Sequence, residues 1–83
     1  METAHKFTRE SIQQILETLE EGGCGVVLRA KGIVDASDGQ WLYFDYVPGE
    51  GEVRETEAEA TGMVAVIGTR LNKEKLHELF RLA

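Results

Sequence analysis

Little in this chain is suited to covalent or metal chemistry. Its 83 residues include one cysteine, one proline and two histidines. A lone cysteine, Cys24, excludes an internal disulfide, and a reducing, cytoplasmic setting is the simplest expectation. No CxxC or HxxxH pair occurs, and His5, Cys24 and His77 are scattered along the chain, so no metal site is expected from these residues. His5 falls in a terminal stretch, residues 1–6, expected to fray. His77 is expected on a solvated helix face, and Cys24 is expected to pack as a small hydrophobe. Nucleophilic catalysis would need a base beside Cys24 or a serine, and both histidines sit near the ends of the chain. No catalytic residue and no cofactor-binding residue is assigned.

Positive charge is also short. Nine Lys and Arg face fifteen Asp and Glu, a net charge of −6. This weighs against sequence-independent nucleic-acid binding, which needs a cationic surface to displace counterions from phosphate. It weighs equally against an anionic membrane surface. No apolar run approaches the about 18 residues of a transmembrane helix. The opening "METAHKFTRE" lacks the apolar centre of a signal peptide. The composition, 42% hydrophobic and 29% charged, is that of an ordinary globular protein. One domain, residues 1–83, is expected, with a thin core.

Periodicity orders the rest. In "TRESIQQILETLEE", residues 8–21, Ile12, Ile15, Leu16 and Leu19 share one helical face. Thr8 is placed to cap this helix and Phe7 and Ile12 to staple it, although Ser11 stands where a full capping box would have Glu or Gln. Two glycines at 22–23 stop it. Residues 25–35, "GVVLRAKGIVD", alternate as a strand. Val26, Leu28, Ala30, Gly32 and Val34 fall on one side, and Val27, Arg29, Lys31, Ile33 and Asp35 on the other. "SDGQ" at 37–40 is a hairpin turn. In "WLYFDYV", residues 41–47, Leu42, Phe44 and Tyr46 oppose Trp41, Tyr43 and Asp45. "PGEGE" at 48–52 reads as a loop, and "VRETEAEA" at 53–60 as an acidic edge strand. "GMVAVIG" at 62–68 is apolar on both faces and belongs mid-sheet. A helix at 73–82, capped by Asn72, carries Leu76, Leu79, Phe80 and Ala83 on its apolar face.

The expected architecture is α+β, in the order α-β-β-β-β-α: one four-stranded, mainly antiparallel sheet with both helices packed on one face. A strand order of 3-2-1-4 follows from pairing the first strand with the fourth. That order leaves the apolar fourth strand at an edge, so the order stays open. Gly32 is expected to admit a neighbouring backbone or a bulge. The helix-free face carries Arg29, Lys31, Trp41, Tyr43, Asp45 and the glutamates, with Val27 and Ile33 among them. On an isolated domain the two bases would simply pair with acids such as Asp45 or Glu57. Yet so much apolar surface away from the helices points to a partner, and Trp, Tyr and Arg are the types enriched at binding hot spots. Arg29, Lys31, Trp41 and Tyr43 are therefore the candidate interaction residues.

"GVVLRAKGIV", then "GQWLYFDYVPGEG", then "GMVAVIGTRLNKEKLHELF" resemble the C-terminal domain of the CobW family of P-loop GTPases, over roughly residues 7–80. The resemblance implies a module of proteins linked to cobalamin synthesis and metal homeostasis. In that family the chemistry belongs to an N-terminal GTPase domain with a phosphate-binding loop and a cysteine-rich metal motif. GTP and a divalent metal would be that domain's ligands. This chain has no GxxxxGK[ST] and no Asn-Lys-x-Asp, and "PGEGE" sets carboxylates beside its glycines, which repel phosphate. The implied role is a non-catalytic interaction domain that docks, through its helix-free sheet face, on a CobW-like GTPase domain or a client metalloprotein. The alternatives are a stand-alone small-molecule or metal-binding protein, and a homodimer that buries this face against itself.

Overall fold

A computed structural model describes residues 1–37 and 39–82. Eight elements follow one another: β1 (Glu2–Thr3), β2 (Lys6–Phe7), α1 (Arg9–Glu20), β3 (Val26–Ala36), β4 (Trp41–Val47), β5 (Glu50–Thr56), β6 (Gly62–Thr69) and α2 (Lys73–Phe80). The class is α+β, as expected, and the sheet is mostly antiparallel. It has six strands, however, and not four, in the order β1-β6-β3-β4-β5 with β2 added alongside β3. The extra strands come from the terminal stretch expected to fray. Glu2 and Thr3 pair antiparallel with Met63 and Gly62, and Lys6 and Phe7 pair parallel with Asp35 and Ala36. Such two-residue strands are too short to leave a periodic signal.

These additions settle the strand order. The four long strands run β5-β4-β3-β6, and β1 covers part of the outer side of β6. β6 is therefore flanked on both sides over its first residues while standing last among the long strands. Thr3 is buried, and its hydroxyl donates to the Arg81 carbonyl at 2.9 Å. This bond ties the chain's first strand to the end of its last helix.

α1 obeys its periodicity: Ile12, Ile15, Leu16 and Leu19 are all buried. Thr8 caps it, and Ser11 completes the capping box that a serine was not expected to complete. The Ser11 hydroxyl accepts from Thr8 N–H at 2.9 Å, and the Thr8 hydroxyl accepts from Ser11 N–H at 3.0 Å. The helix is pinned to the sheet at both ends. Arg9 Nη1 donates to the Val53 carbonyl at 2.6 Å, and Glu20 Oε1 accepts from Gly49 N–H at 2.6 Å and from the Tyr46 hydroxyl at 3.3 Å. α2 is capped by the Asn72 side chain, which accepts from Lys75 N–H, and it buries Leu76 and Phe80. Ala83, expected on its apolar face, and Asp38 of the hairpin turn lie outside the described residues.

Two strand assignments change. β5 begins at Glu50, because Val47 pairs with Glu50 and only Pro48-Gly49 turns between them. Gly49 has φ of 83°, the arrangement of a Pro-Gly turn. The strand ends at Thr56, and Glu57 and Glu59 lie beyond it. The second change is a bulge in β3, where the register with β6 shifts between Val27 and Arg29. One extra residue reverses the alternation on its N-terminal side. Val27, expected outside, is buried at 4% exposure, while Val26 and Leu28, expected inside, are 53% and 52% exposed. Beyond the bulge the expected faces hold.

The core fills the space between one sheet face and the helices. Its centre is a stack of rings. Phe44 and Phe80 are both fully buried, 5.6 Å apart between centroids and 9° from parallel. The Phe44 ring lies over Gly32. A Cβ built there would sit 2.7 Å from Phe44 Cε2 and 2.6 Å from the Met63 carbonyl oxygen. Gly32 thus admits an aromatic ring and a neighbouring backbone, while the bulge lies further up the strand. Gly32→Ala is expected to destabilise the fold by about 1–3 kcal/mol through overpacking, read as a lower denaturant midpoint with an unchanged slope. An unshifted midpoint would refute the close packing of this column.

Candidate functional site

The face without helices is organised by register. Met63 of β6, Ile33 of β3, Tyr43 of β4 and Arg54 of β5 are cross-strand partners in one row. The next row holds Ala65, Lys31, Asp45 and Glu52. An apolar stripe thus runs beside a charged one. Trp41 lies on the same face one step from Tyr43, in register with Asp35 and Thr56. All four expected interaction residues, Arg29, Lys31, Trp41 and Tyr43, fall on this face.

Asp45 is the shared acceptor. Arg29 donates to it through Nε at 3.2 Å and Nη2 at 2.8 Å, and the Tyr43 hydroxyl donates at 3.0 Å. The two-pronged guanidinium contact fixes both side chains in orientation. The guanidinium of Arg54 sits 4.5 Å from the Tyr43 ring centroid and pairs with Glu52 at 3.2 Å. Tyr43 is thereby held at its hydroxyl and on its ring face. Among the described residues, Lys31 makes no ion pair, although it stands opposite Asp45 in register. Glu57, considered as a partner for the bases, lies past the end of β5.

The charges shift as this geometry requires. The hydrogen bonds from Arg29 hold the Asp45 carboxyl below its ordinary range, against a partial opposing effect of burial, with Tyr43 and Lys31 adding to the lowering. Arg29 is raised by the same bond. Tyr43 is raised because its proton bonds to the Asp45 carboxylate. Elsewhere, burial raises the Cys24 thiol, with Lys75 opposing, and burial then Glu20 raise Tyr46. Because Asp45 is depressed in the folded state, its contribution to stability is complete above the ordinary carboxylate range. It is lost as pH falls through the depressed folded value.

Beside the apolar row lies a groove of about 570 Å³ lined by Met1, Ile33, Tyr43, Ala60 and Met63, with Lys31 and Glu59 among its charged lining. Further exposed apolar side chains, Val26, Leu28 and Ile67, follow at the β3–β6 end of the sheet. Arg54, Met63 and Ile67 were not among the expected site residues. Arg54 was hidden because the glutamates of its strand were expected on the helix-free face; Glu55 instead pairs with buried Leu42, and Arg54 pairs with Tyr43 on the open side, while Met63 and Ile67 carry no signal beyond being apolar in an apolar strand. No group of three or more His, Cys, Asp or Glu among the described residues could hold a metal ion. Among those residues no helix is long and apolar enough to cross a membrane.

The family model of the cobalamin synthesis protein cobW C-terminal domain matches residues 1–83. This chain belongs to that family. Among solved structures it is similar to the Zn(II)-bound YjiA GTPase from E. coli, with a TM-score of 0.74 and 19% sequence identity over 98% of this chain. At that identity the likeness shows a shared fold. The match covers 27% of the YjiA chain, so this chain spans about a quarter of that protein's length. No curated protein matches this chain.

Two outcomes test this geometry. In a carbon-detected NMR titration, the Asp45 carboxyl is expected to have its midpoint below the about 3.9 of a free aspartate, and Arg29→Gln is expected to move it upward. A midpoint unmoved by that substitution would dissociate Asp45 from Arg29. Cys24, fully buried, is expected to resist a thiol reagent in the native protein and to react only as fast as the domain opens; immediate stoichiometric labelling would contradict its burial.

Proposed function

We propose that this chain is a non-catalytic interaction domain of a CobW-like GTPase or metallochaperone, working in the cytoplasm. Its helix-free sheet face docks on the GTPase domain or on the client metalloprotein that receives the metal. GTP and the divalent metal are ligands of the GTPase domain. The bound Zn(II) of YjiA makes zinc the first cation to try there. Cobalamin synthesis and metal homeostasis are the processes such a protein would serve.

One observation carries this reading: a half-buried tyrosine, clamped by Asp45 and Arg54 within an apolar row, on the face that no helix covers. Ordering a side chain before binding lowers the entropy lost on docking. Tyrosine and arginine at the centre of a patch are the types that dominate interface energies. Met63 and Ile33 would supply buried apolar area, and Lys31 a charge that makes no ion pair among the described residues.

The test is a calorimetric titration of the chain with a CobW-family GTPase domain, with and without GTP and zinc. Tyr43→Ala is expected to weaken binding by about 30-fold or more, the effect of losing a hot-spot residue worth about 2 kcal/mol. Trp41→Ala, further along the face, is expected to weaken it less. A folded Tyr43→Ala chain that binds with unchanged affinity would overturn the assignment of this face.

A further inference from the structure

We infer that the open face between β3 and β6 is a groove for an amphipathic helix of a partner protein, one that carries a carboxylate midway along its apolar side. The inference rests on the reading that this face docks, and it names what docks there. Along β6 the residues facing away from the helices are Met63, Ala65, Ile67 and Thr69, without a charge among them. Met63 and Ile67 are 49% and 62% exposed. Between them Ala65 leaves a dip, because its side chain is a single methyl group. β3 supplies the other wall. Ile33 stands opposite Met63, Lys31 opposite Ala65, and Arg29 opposite Ile67. The bulge adds Val26 and Leu28, which it turns outward at the Ile67 end.

The positive charge at the middle of this groove is uncompensated. Arg29 is matched by its two-pronged bond to Asp45, and Asp45 is further engaged by the Tyr43 hydroxyl. Lys31 lines the groove and makes no ion pair among the described residues. It sits midway between the Met63 and Ile67 ends. Glu59 also lines the groove, but on the side of Trp41, away from Ile67. The complementary surface is therefore an apolar contact, a carboxylate and a second apolar contact, in that order along the strands.

A helix supplies that pattern at the right spacing. From Met63 to Ile67 the strand advances about 13 Å, and eight helical residues rise about 12 Å. Positions i, i+4 and i+8 of a helix share a side, so a carboxylate at the middle position meets Lys31 while apolar side chains flank it. The main chain gives a second reason. A sheet face offers no main-chain groups, so a lone strand laid on it would leave its own amides and carbonyls unpaired, whereas a helix satisfies them internally. The helix does not come from a second copy, because α1 and α2 already bury their apolar sides. Its docking would give the sheet a helical layer on each face.

The test uses two synthetic peptides, each a helix of about 15 residues with leucines along one side. One has a glutamate midway among the leucines, and the other has a lysine there. In NMR titrations of the chain, the glutamate peptide is expected to shift the amides of Met63, Ala65 and Ile67. It is expected to bind about tenfold or more tightly than the lysine peptide, and Lys31→Glu is expected to reverse that preference. Should that variant not fold beside Asp45, Lys31→Gln is expected to abolish the preference. Equal binding of the two peptides, binding of neither, or shifts confined to Trp41 and Tyr43 would overturn the inference. If it is overturned while Tyr43→Ala still weakens binding to the GTPase domain, the face docks through other chemistry. Discrimination between the peptides without any effect of Tyr43→Ala would uphold the groove and remove the GTPase domain as its occupant.

Discussion

The fold depends on a missing methyl group. Because Gly32 has no side chain, the Phe44 ring can lie against β3, and Phe80 of the last helix can stack on Phe44. These contacts join the middle of the sheet to a helix made nearly fifty residues later. Packing at this density tolerates neither added nor lost volume. Both sides of the sheet follow from it: the side with the rings receives the helices, and the other is left open.

How much of this was legible depended on whether alternation ran unbroken. β4 has no bulge and no competing pattern, so its limits and both of its faces agree with the sequence reading. α1 agrees for the same reason, with four apolar residues at helical spacing. β3 does not, because its bulge is a backbone event with no side-chain signature, and it exchanges Val27 for Val26 and Leu28. The terminal strands escaped notice because two residues cannot display a period. β5 was displaced because Pro-Gly reads as the start of a long loop when the glutamates after it look solvated.

The candidate site was legible as a set of residues and not as an arrangement. Arg29, Lys31, Trp41 and Tyr43 could be placed on one face because they sit in stretches whose alternation holds. Their relation to Met63 and Arg54 could not be seen, because those residues are adjacent only through register across four strands. A hairpin's local turn fixes register between neighbours in sequence, but the pairing of β3 with β6 joins segments about thirty residues apart. The role of Asp45 as acceptor for both Arg29 and Tyr43 is likewise a property of the paired sheet.

The hydroxyl bond from Thr3 to the carbonyl of Arg81 spans 78 positions of the chain. Together with the burial of Phe80, it means that β1 and α2 are needed at once. Such a topology has a high share of contacts between distant segments, and such contacts are late and slow to form. During synthesis, the rings of the core stay incomplete until the final helix has emerged. Until then the open side and the unfinished side of the sheet are both exposed, so a chaperone that shields apolar strands would find its longest purchase here before the domain closes.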